Sequence, residues 1–122
     1  DKLDKIFELQ RRFDDELITR RKLHDIDRTV WIQKEVLAIV SELSELLDEV
    51  NFKWWKNPKP LNEQAIKGEL VDILHFFISM CIKMNMTAEE LYSLYIEKNK
   101  ENFDRQNGLS QKEGYYIGNS EE

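Results

Sequence analysis

Carboxylates stand at helical spacing in two segments whose other residues are largely apolar. Glu42, Glu45 and Glu49 follow one another at steps of three and four, and Glu69 is followed three positions later by Asp72. Residues at these spacings lie on one face of a helix. If the two helices pack antiparallel, four or five carboxylates meet, and like charges so close raise one another's pKa. We therefore expect cations among them.

The expected ion is Mg²⁺, with Mn²⁺ as the alternative, because ligand sets made only of oxygen favour hard cations. The expected ligands are Glu42, Glu45, Glu69 and Asp72. An exposed acidic stripe, or a core acid paired with Arg or Lys, is the alternative interpretation. Divalent ions held by carboxylates suit phosphate chemistry, because they neutralise developing charge and lower the pKa of an attacking water. The chain has no set of thiols or paired histidines that would indicate zinc.

Two further segments have residue types suited to a nucleotide. On the fourth helical segment Lys98, Asn102 and Arg105 share one stripe, with Asn99 beside them. Cations and amides on one face suit a phosphate tail, and a solvated helix end is the alternative. The segment FKWWK (52–56) places two tryptophans between two lysines. These rings are suited to stacking on a base, or to closing the end of a helical bundle.

Two single residues are candidates for reading a base. Gln10 interrupts an otherwise apolar stripe in the first helical segment. Its amide can both donate and accept, as base recognition requires, and a core glutamine with internal partners is the alternative. His75 follows Asp72 by three residues. A single helical histidine is structural by default, but its alignment with Glu69 and Asp72 favours a place at the site.

The composition predicts a single all-α domain over residues 1–122. Only four glycines and two prolines occur, and helical periodicity covers roughly 2–23, 28–50, 63–84 and 87–106. A loop of about a dozen residues joins the second and third segments, which allows them to pack antiparallel. About 109–122 is expected to be a mobile C-terminal tail.

Charge and hydropathy exclude several classes of partner. The net charge is −6 and no basic block occurs, which argues against nucleic acid. No stretch reaches the roughly 18 apolar residues of a membrane span. The single cysteine, Cys81, lies in an apolar run, so we expect a buried thiol and no intrachain disulfide. An intracellular, cytoplasmic location is the default expectation.

Several segments together resemble a known family. VSELSELLDEVNFKWWK, ELVDILHFFISM and YIEKNKENFDRQNGLSQKEGYY are similar to the dimeric all-α dUTPases of the MazG-like nucleotide pyrophosphatase superfamily. The motif E-x-x-E at Glu42 and Glu45 is followed after 23 residues by E-x-x-D at Glu69 and Asp72. Phe13 is a departure, since relatives often carry Asn at that position.

The resemblance implies a fold and an activity. The fold would be a MazG-like bundle of four main helices, completed by homodimerisation, with the active site formed partly by the partner chain. The activity would be Mg²⁺-dependent hydrolysis of dUTP to dUMP and pyrophosphate, with dUDP often accepted. The alternatives are another pyrophosphatase acting on dCTP or a modified dNTP, and a non-catalytic helical dimer that binds a regulatory protein.

The resemblance also implies roles for individual residues. Metal ions would be held by Glu42, Glu45, Glu69 and Asp72, and either Glu42 or Glu49 would act as the catalytic base. Substrate would be bound by Gln10, Trp54 and His75 at the uracil, by Tyr95 at the deoxyribose, by Lys98, Asn99, Asn102 and Arg105 at phosphates and sugar, and by Lys53 and Lys56 as further phosphate contacts.

Overall fold

The structure is a computed structural model, and it describes residues 1–109 and 112–115. Within those residues it contains four α-helices and no strand: α1 (Lys2–Arg21), α2 (Arg28–Glu49), α3 (Glu63–Lys83) and α4 (Ala88–Gln106). The predicted all-α fold is confirmed. The tail predicted at 109–122 lies mostly outside the described residues. Among the helices of the described chain, none is long and apolar enough to cross a membrane.

Side-chain caps explain where the first three helices begin. Asp1, Asp27 and Asn62 each accept a hydrogen bond from the backbone N–H three residues later, at 2.9, 3.1 and 3.0 Å. Such a cap satisfies an N–H that the first helical turn leaves without a partner. At the other end of α1, Lys22 adopts a left-handed conformation with φ 58°, which stops the helix.

The chain divides into two compact units, residues 1–87 and the segment from residue 88 onward. In the first unit α3 packs against both α2 and α1. Its buried apolar side chains are few and include Phe7, Ile78 and Cys81, of which Ile78 is fully buried. Cys81 is a buried free thiol, as predicted. The second unit consists of α4 and the described residues that follow it.

α2 and α3 each carry a second apolar face that remains exposed. On α2 this face recurs at steps of four, three and four residues, and on α3 at steps of four and three. Its members are 41–52% exposed: Val36, Val40, Leu43, Leu47, Leu70, Leu74 and Phe77. Exposed apolar residues that recur on one face of a helix make that face a candidate interaction surface.

Candidate metal and nucleotide site

Carboxylates from α2 and α3 meet at one point of the first unit. Glu42 of α2 and Glu69 and Asp72 of α3 each place one carboxylate oxygen within 4.8 Å of the others. Hydrogen bonding with Glu42 and with Glu45 contributes to the pKa of Glu69. The antiparallel pairing expected from the sequence therefore brings three of the four predicted metal ligands, Glu42, Glu69 and Asp72, into one carboxylate cluster. The fourth, Glu45, lies close enough to influence the pKa of Glu42 and of Glu69.

Proximity changes the acidity of the carboxylate cluster. Desolvation, a hydrogen bond with Glu69 and the charges of Glu45, Glu69 and Asp72 raise the pKa of Glu42 to about 7. Desolvation likewise raises the pKa of Glu69, with repulsion from Glu45 and Asp72 adding to it and the hydrogen bond with Glu42 opposing it. Two hydrogen-bonded carboxyl groups share a proton, and a divalent cation can take the place of that proton. The all-oxygen donor set fits Mg²⁺ or Mn²⁺.

A cavity of about 610 Å³ adjoins the carboxylate cluster between α1, α2 and α3. Glu42 and Asp72 line one end, and Gln10 and His75 line its wall. This volume lies in the range of small-molecule sites. The structure thus brings both predicted base-reading residues together with two of the predicted metal ligands.

A buried chain of hydrogen bonds crosses the cavity wall from α3 to α1 and back. Lys83 donates to the hydroxyl of Ser79 at 2.7 Å, and Ser79 donates to Oδ2 of Asp14 at 2.7 Å. Gln10 Nε2 donates to Oδ1 of the same carboxylate at 2.9 Å. Gln10 Oε1 lies 2.8 Å from Nδ1 of His75. Five side chains form this hydrogen-bond chain, and the sequence predicted a role for only the last two, Gln10 and His75.

Two buried carboxylates share one ammonium at the far end of the cavity. Lys83 Nζ lies 2.9 Å from Glu35 Oε2 and 3.6 Å from Asp14 Oδ2. It also lies 4.6 Å from the ring centroid of Trp31. Among the described residues Glu35 Oε2 makes no hydrogen bond of good geometry, so charge rather than aligned bonding holds this pair.

The sequence spacing of these buried polar residues indicates that they share helix faces, although the sequence analysis considered only the carboxylates of the cluster. Gln10 and Asp14 stand at i, i+4 on α1, as Ser79 and Lys83 do on α3. Polar residues at that spacing share a helix face. Glu35 precedes Glu42 by seven residues, so it lies on the same face of α2. Each pair alone is common on a solvated helix, which is why the pattern did not stand out.

Comparison with known proteins gives the family. The sequence profile described as dUTPase matches residues 2–89. The chain belongs to the dUTPase family. The matched region contains the carboxylate cluster, Gln10 and His75, whereas the phosphate-binding candidates of α4 lie beyond it.

Individual relatives of this dUTPase-family chain are phage proteins. A protein named dCTP pyrophosphatase from Enterobacteria phage T4 is 37% identical over 87 residues, which cover 60% of this chain and 51% of the relative. A dCTP pyrophosphatase from Enterobacteria phage LZ5 is 38% identical over 74 residues, covering 61% and 43%. A DNA replication protein of phage T4 is 35% identical over 81 residues, covering 55% and 21%. The chain spans about half the length of the two dCTP pyrophosphatases. No solved structure matches it significantly.

Other residues that the family resemblance singled out do not line the cavity. Glu49 lies 3.9 Å from Lys59, and Lys53 lies 3.6 Å from Asp48. Trp54 is 84% exposed. Lys56 is exposed on the same loop. The loop segment FKWWK therefore does not line the cavity, and its assigned role in substrate binding stays a prediction.

The phosphate-binding candidates of α4 belong to the second unit. Arg105 donates to Glu101 at 3.0 Å and to Asn102 at 3.4 Å, and its guanidinium lies 5.2 Å from the ring centroid of Tyr115. Tyr95 is 64% exposed. Lys98 and Asn99 are also exposed on this helix. Their roles stay predictions.

Proposed function

We propose that the protein hydrolyses a pyrimidine deoxynucleoside triphosphate to the monophosphate and pyrophosphate, with Mg²⁺ or Mn²⁺ as cofactor. The observation that carries this proposal is the carboxylate cluster at one end of a cavity of nucleotide size, whose wall offers an amide and an imidazole. Acidic oxygens suit the ions that accompany phosphates, and the polar wall suits a base.

The proposed roles follow from where each group lies. Glu42, Glu45, Glu69 and Asp72 would hold the ions. Bound divalent ions would neutralise phosphate charge and lower the pKa of the attacking water. Water attacks the α-phosphorus and pyrophosphate leaves. Glu42 lines the cavity and Glu49 does not, which supports Glu42 as the group that receives the proton of the water.

Two bases are candidates, each with its own support. Membership of the dUTPase family supports dUTP, and the names of the phage relatives support dCTP. Phe13 lines the cavity but offers no hydrogen bond. Base selection would therefore depend on the polar side chains of the wall, Gln10 and His75 first among them.

A panel of deoxynucleotides tests the proposal. Initial rates are measured for dUTP, dCTP, dTTP, dATP and dGTP, once with Mg²⁺ and once with Mn²⁺. Products are separated to distinguish monophosphate plus pyrophosphate from diphosphate plus phosphate. We expect dUTP to be preferred, and a preference for dCTP would select the second candidate. A purine preference, release of inorganic phosphate or no hydrolysis with either metal would overturn the proposal, and the last outcome would favour a non-catalytic binding protein.

We also propose that two copies of the chain associate through the exposed apolar faces of α2 and α3. Faces built on steps of three and four residues pack against each other as in a helical bundle. A two-fold axis between copies would bury Leu74 and Phe77 of both. Sedimentation of the wild type and of Leu74→Lys, with Leu9→Lys on α1 as the matched control, tests this. A monomeric wild type would refute it, and so would a dimer that Leu74→Lys leaves intact.

A further inference from the structure

We propose that Asp14 is a positioning residue that fixes the hydrogen-bond polarity of Gln10 and His75, so that neutral His75 meets the base as an acceptor. No substrate contact is assigned to Asp14 itself. The proposal rests on the proposed function for the nature of the ligand, but the tautomer of His75 follows from the geometry of the chain alone.

At the Lys83 end, the donors and acceptors of the hydrogen-bond chain can be arranged in only one way. The ammonium of Lys83 can only donate, so the Ser79 hydroxyl, 2.7 Å away, must accept from it. The hydroxyl hydrogen is then available for Asp14 Oδ2 at 2.7 Å. An ionised carboxylate can only accept. The Lys83 ammonium and the Asp14 carboxylate therefore require the same donor and acceptor roles for the Ser79 hydroxyl.

The same carboxylate sets the orientation of the Gln10 amide. Asp14 Oδ1 can only accept, so the atom 2.9 Å from it must be the amide nitrogen of Gln10. The amide oxygen is thereby directed at Nδ1 of His75, at 2.8 Å. An amide oxygen can only accept, so Nδ1 must carry the hydrogen. A reversed amide would place the Gln10 oxygen against Asp14 Oδ1, so that two acceptors would face each other.

Burial makes a reversal costly. Gln10, Asp14 and Ser79 are only 7%, 8% and 3% exposed, so water has little access to them as a replacement partner. A buried polar group that loses its partner keeps its full desolvation penalty. Two fixed charges at one end therefore determine which tautomer His75 adopts at the other.

The tautomer determines what His75 can bind. With Nδ1 protonated, Nε2 of the neutral ring offers a lone pair. The group that meets it must be a donor, which in a pyrimidine is the N3–H of uracil or the 4-amino group of cytosine. The carbonyl oxygens of either base could not form a hydrogen bond with Nε2, because both atoms are acceptors. The shared chemistry is a nitrogen-bound hydrogen on the base edge.

Nitrogen-15 NMR tests the tautomer without any substrate. The chain has two histidines, His24 and His75, so His75→Gln assigns the ring signals. Spectra are recorded at about pH 8.5, where an ordinary imidazole is neutral. We expect a protonated Nδ1 and a bare Nε2 in the wild type. A wild-type His75 protonated at Nε2 would overturn the proposal, whether or not any variant folds.

Variants then separate Asp14 from its neighbours. Asp14→Asn keeps the size but can donate as well as accept, so we expect a mixture of His75 tautomers. Ser79→Ala removes a hydroxyl but leaves an accepting carboxylate, so the wild-type tautomer should persist. Asp15→Asn, an exposed neighbour, controls for the loss of charge. An unchanged tautomer in Asp14→Asn would contradict the assignment.

Kinetics connect the tautomer to the base. For Asp14→Asn we expect kcat/KM for the preferred pyrimidine to fall about tenfold, mostly through KM, because a donor on the base loses its acceptor. The ratio of kcat/KM for dUTP to that for dCTP should move towards one. The nucleotide whose kcat/KM falls further identifies the base donor that binds His75. Full selectivity alongside mixed tautomers would refute the role in base reading. A wild type with the expected tautomer but no hydrolysis would instead refute only the proposed function.

Discussion

Replacing Glu42 by Gln should stabilise the metal-free protein at pH 8 and remove most of the stabilisation that Mg²⁺ gives. The pKa of Glu42 is raised from 4.5 to about 7 by desolvation, by its bond with Glu69 and by the charges around it. Between these two pH values the native state binds more protons than the unfolded state. The free energy of unfolding therefore decreases as pH rises through this window, and the full cost is present above pH 7.

The size of the effect follows from the same pKa change. The difference between 4.5 and about 7, at about 1.4 kcal/mol per pH unit, sets an upper bound of about 3 kcal/mol. Glu42 is only partly buried, so solvent screens these interactions and about 1 kcal/mol is the realistic cost. For a domain of this size, 1 kcal/mol corresponds to a change in Tm of about 3–6 °C.

Thermal unfolding followed by circular dichroism measures both effects. In EDTA at pH 8 the Tm of Glu42→Gln should exceed that of the wild type, and at pH 4 the two should converge. With Mg²⁺ at about a hundred times its Kd, the wild type should gain about 2.7 kcal/mol and the variant much less. Glu16→Gln removes an exposed carboxylate whose partner Arg20 lies 3.8 Å away, and should change neither result. A variant less stable than the wild type in EDTA would refute the reasoning, as would one that Mg²⁺ stabilises equally.

Four further substitutions test the remaining residue assignments. Asp72→Asn should abolish nearly all turnover while the far-UV circular dichroism stays that of the wild type, and unchanged hydrolysis would disprove the metal assignment. Lys83→Met should lower the free energy of unfolding in urea by about 3–5 kcal/mol, because it leaves two buried carboxylates without their cation; a neutral result would show that water reaches them. Lys98→Ala and Arg105→Ala should each raise KM for the nucleotide with helix content retained, and an unchanged KM would remove α4 from substrate binding.

The helices and the carboxylate cluster could be predicted because their signals are local. Helix bounds fall within about two residues of the predicted ones, since caps such as Asp27 and the periodic apolar positions act within one or two turns. The cluster needed only one further step, the antiparallel pairing of α2 and α3 across a short loop. Two spacings and one loop length were enough to bring Glu42 near Glu69.

The buried hydrogen-bond chain could not be predicted in the same way. It depends on the axial register of α1 against α3, which places Asp14 beside Ser79 across 65 residues of sequence. Periodicity identifies a helix face but not its height along a neighbouring helix. The position of the loop segment FKWWK could not be predicted either, because residue types that suit stacking do not determine where an irregular segment lies. Trp54 packs edge-to-face on Trp55 at 4.7 Å instead of lining the cavity.

The two ends of the cavity handle negative charge in opposite ways, and this difference bears on their functions. At the far end the ammonium of Lys83 lies beside two buried carboxylates, Asp14 and Glu35, and offsets part of their charge from within the chain. At the near end, among the described residues, no Lys or Arg side chain is paired with Glu42, Glu69 or Asp72, and repulsion raises the pKa of Glu42. Cations from solution would therefore stabilise the near end most, because no cation of the described residues is paired with its carboxylates. Removing metal should loosen α2 against α3 around Glu42 while the tautomer of His75, set from the far end, stays as it is.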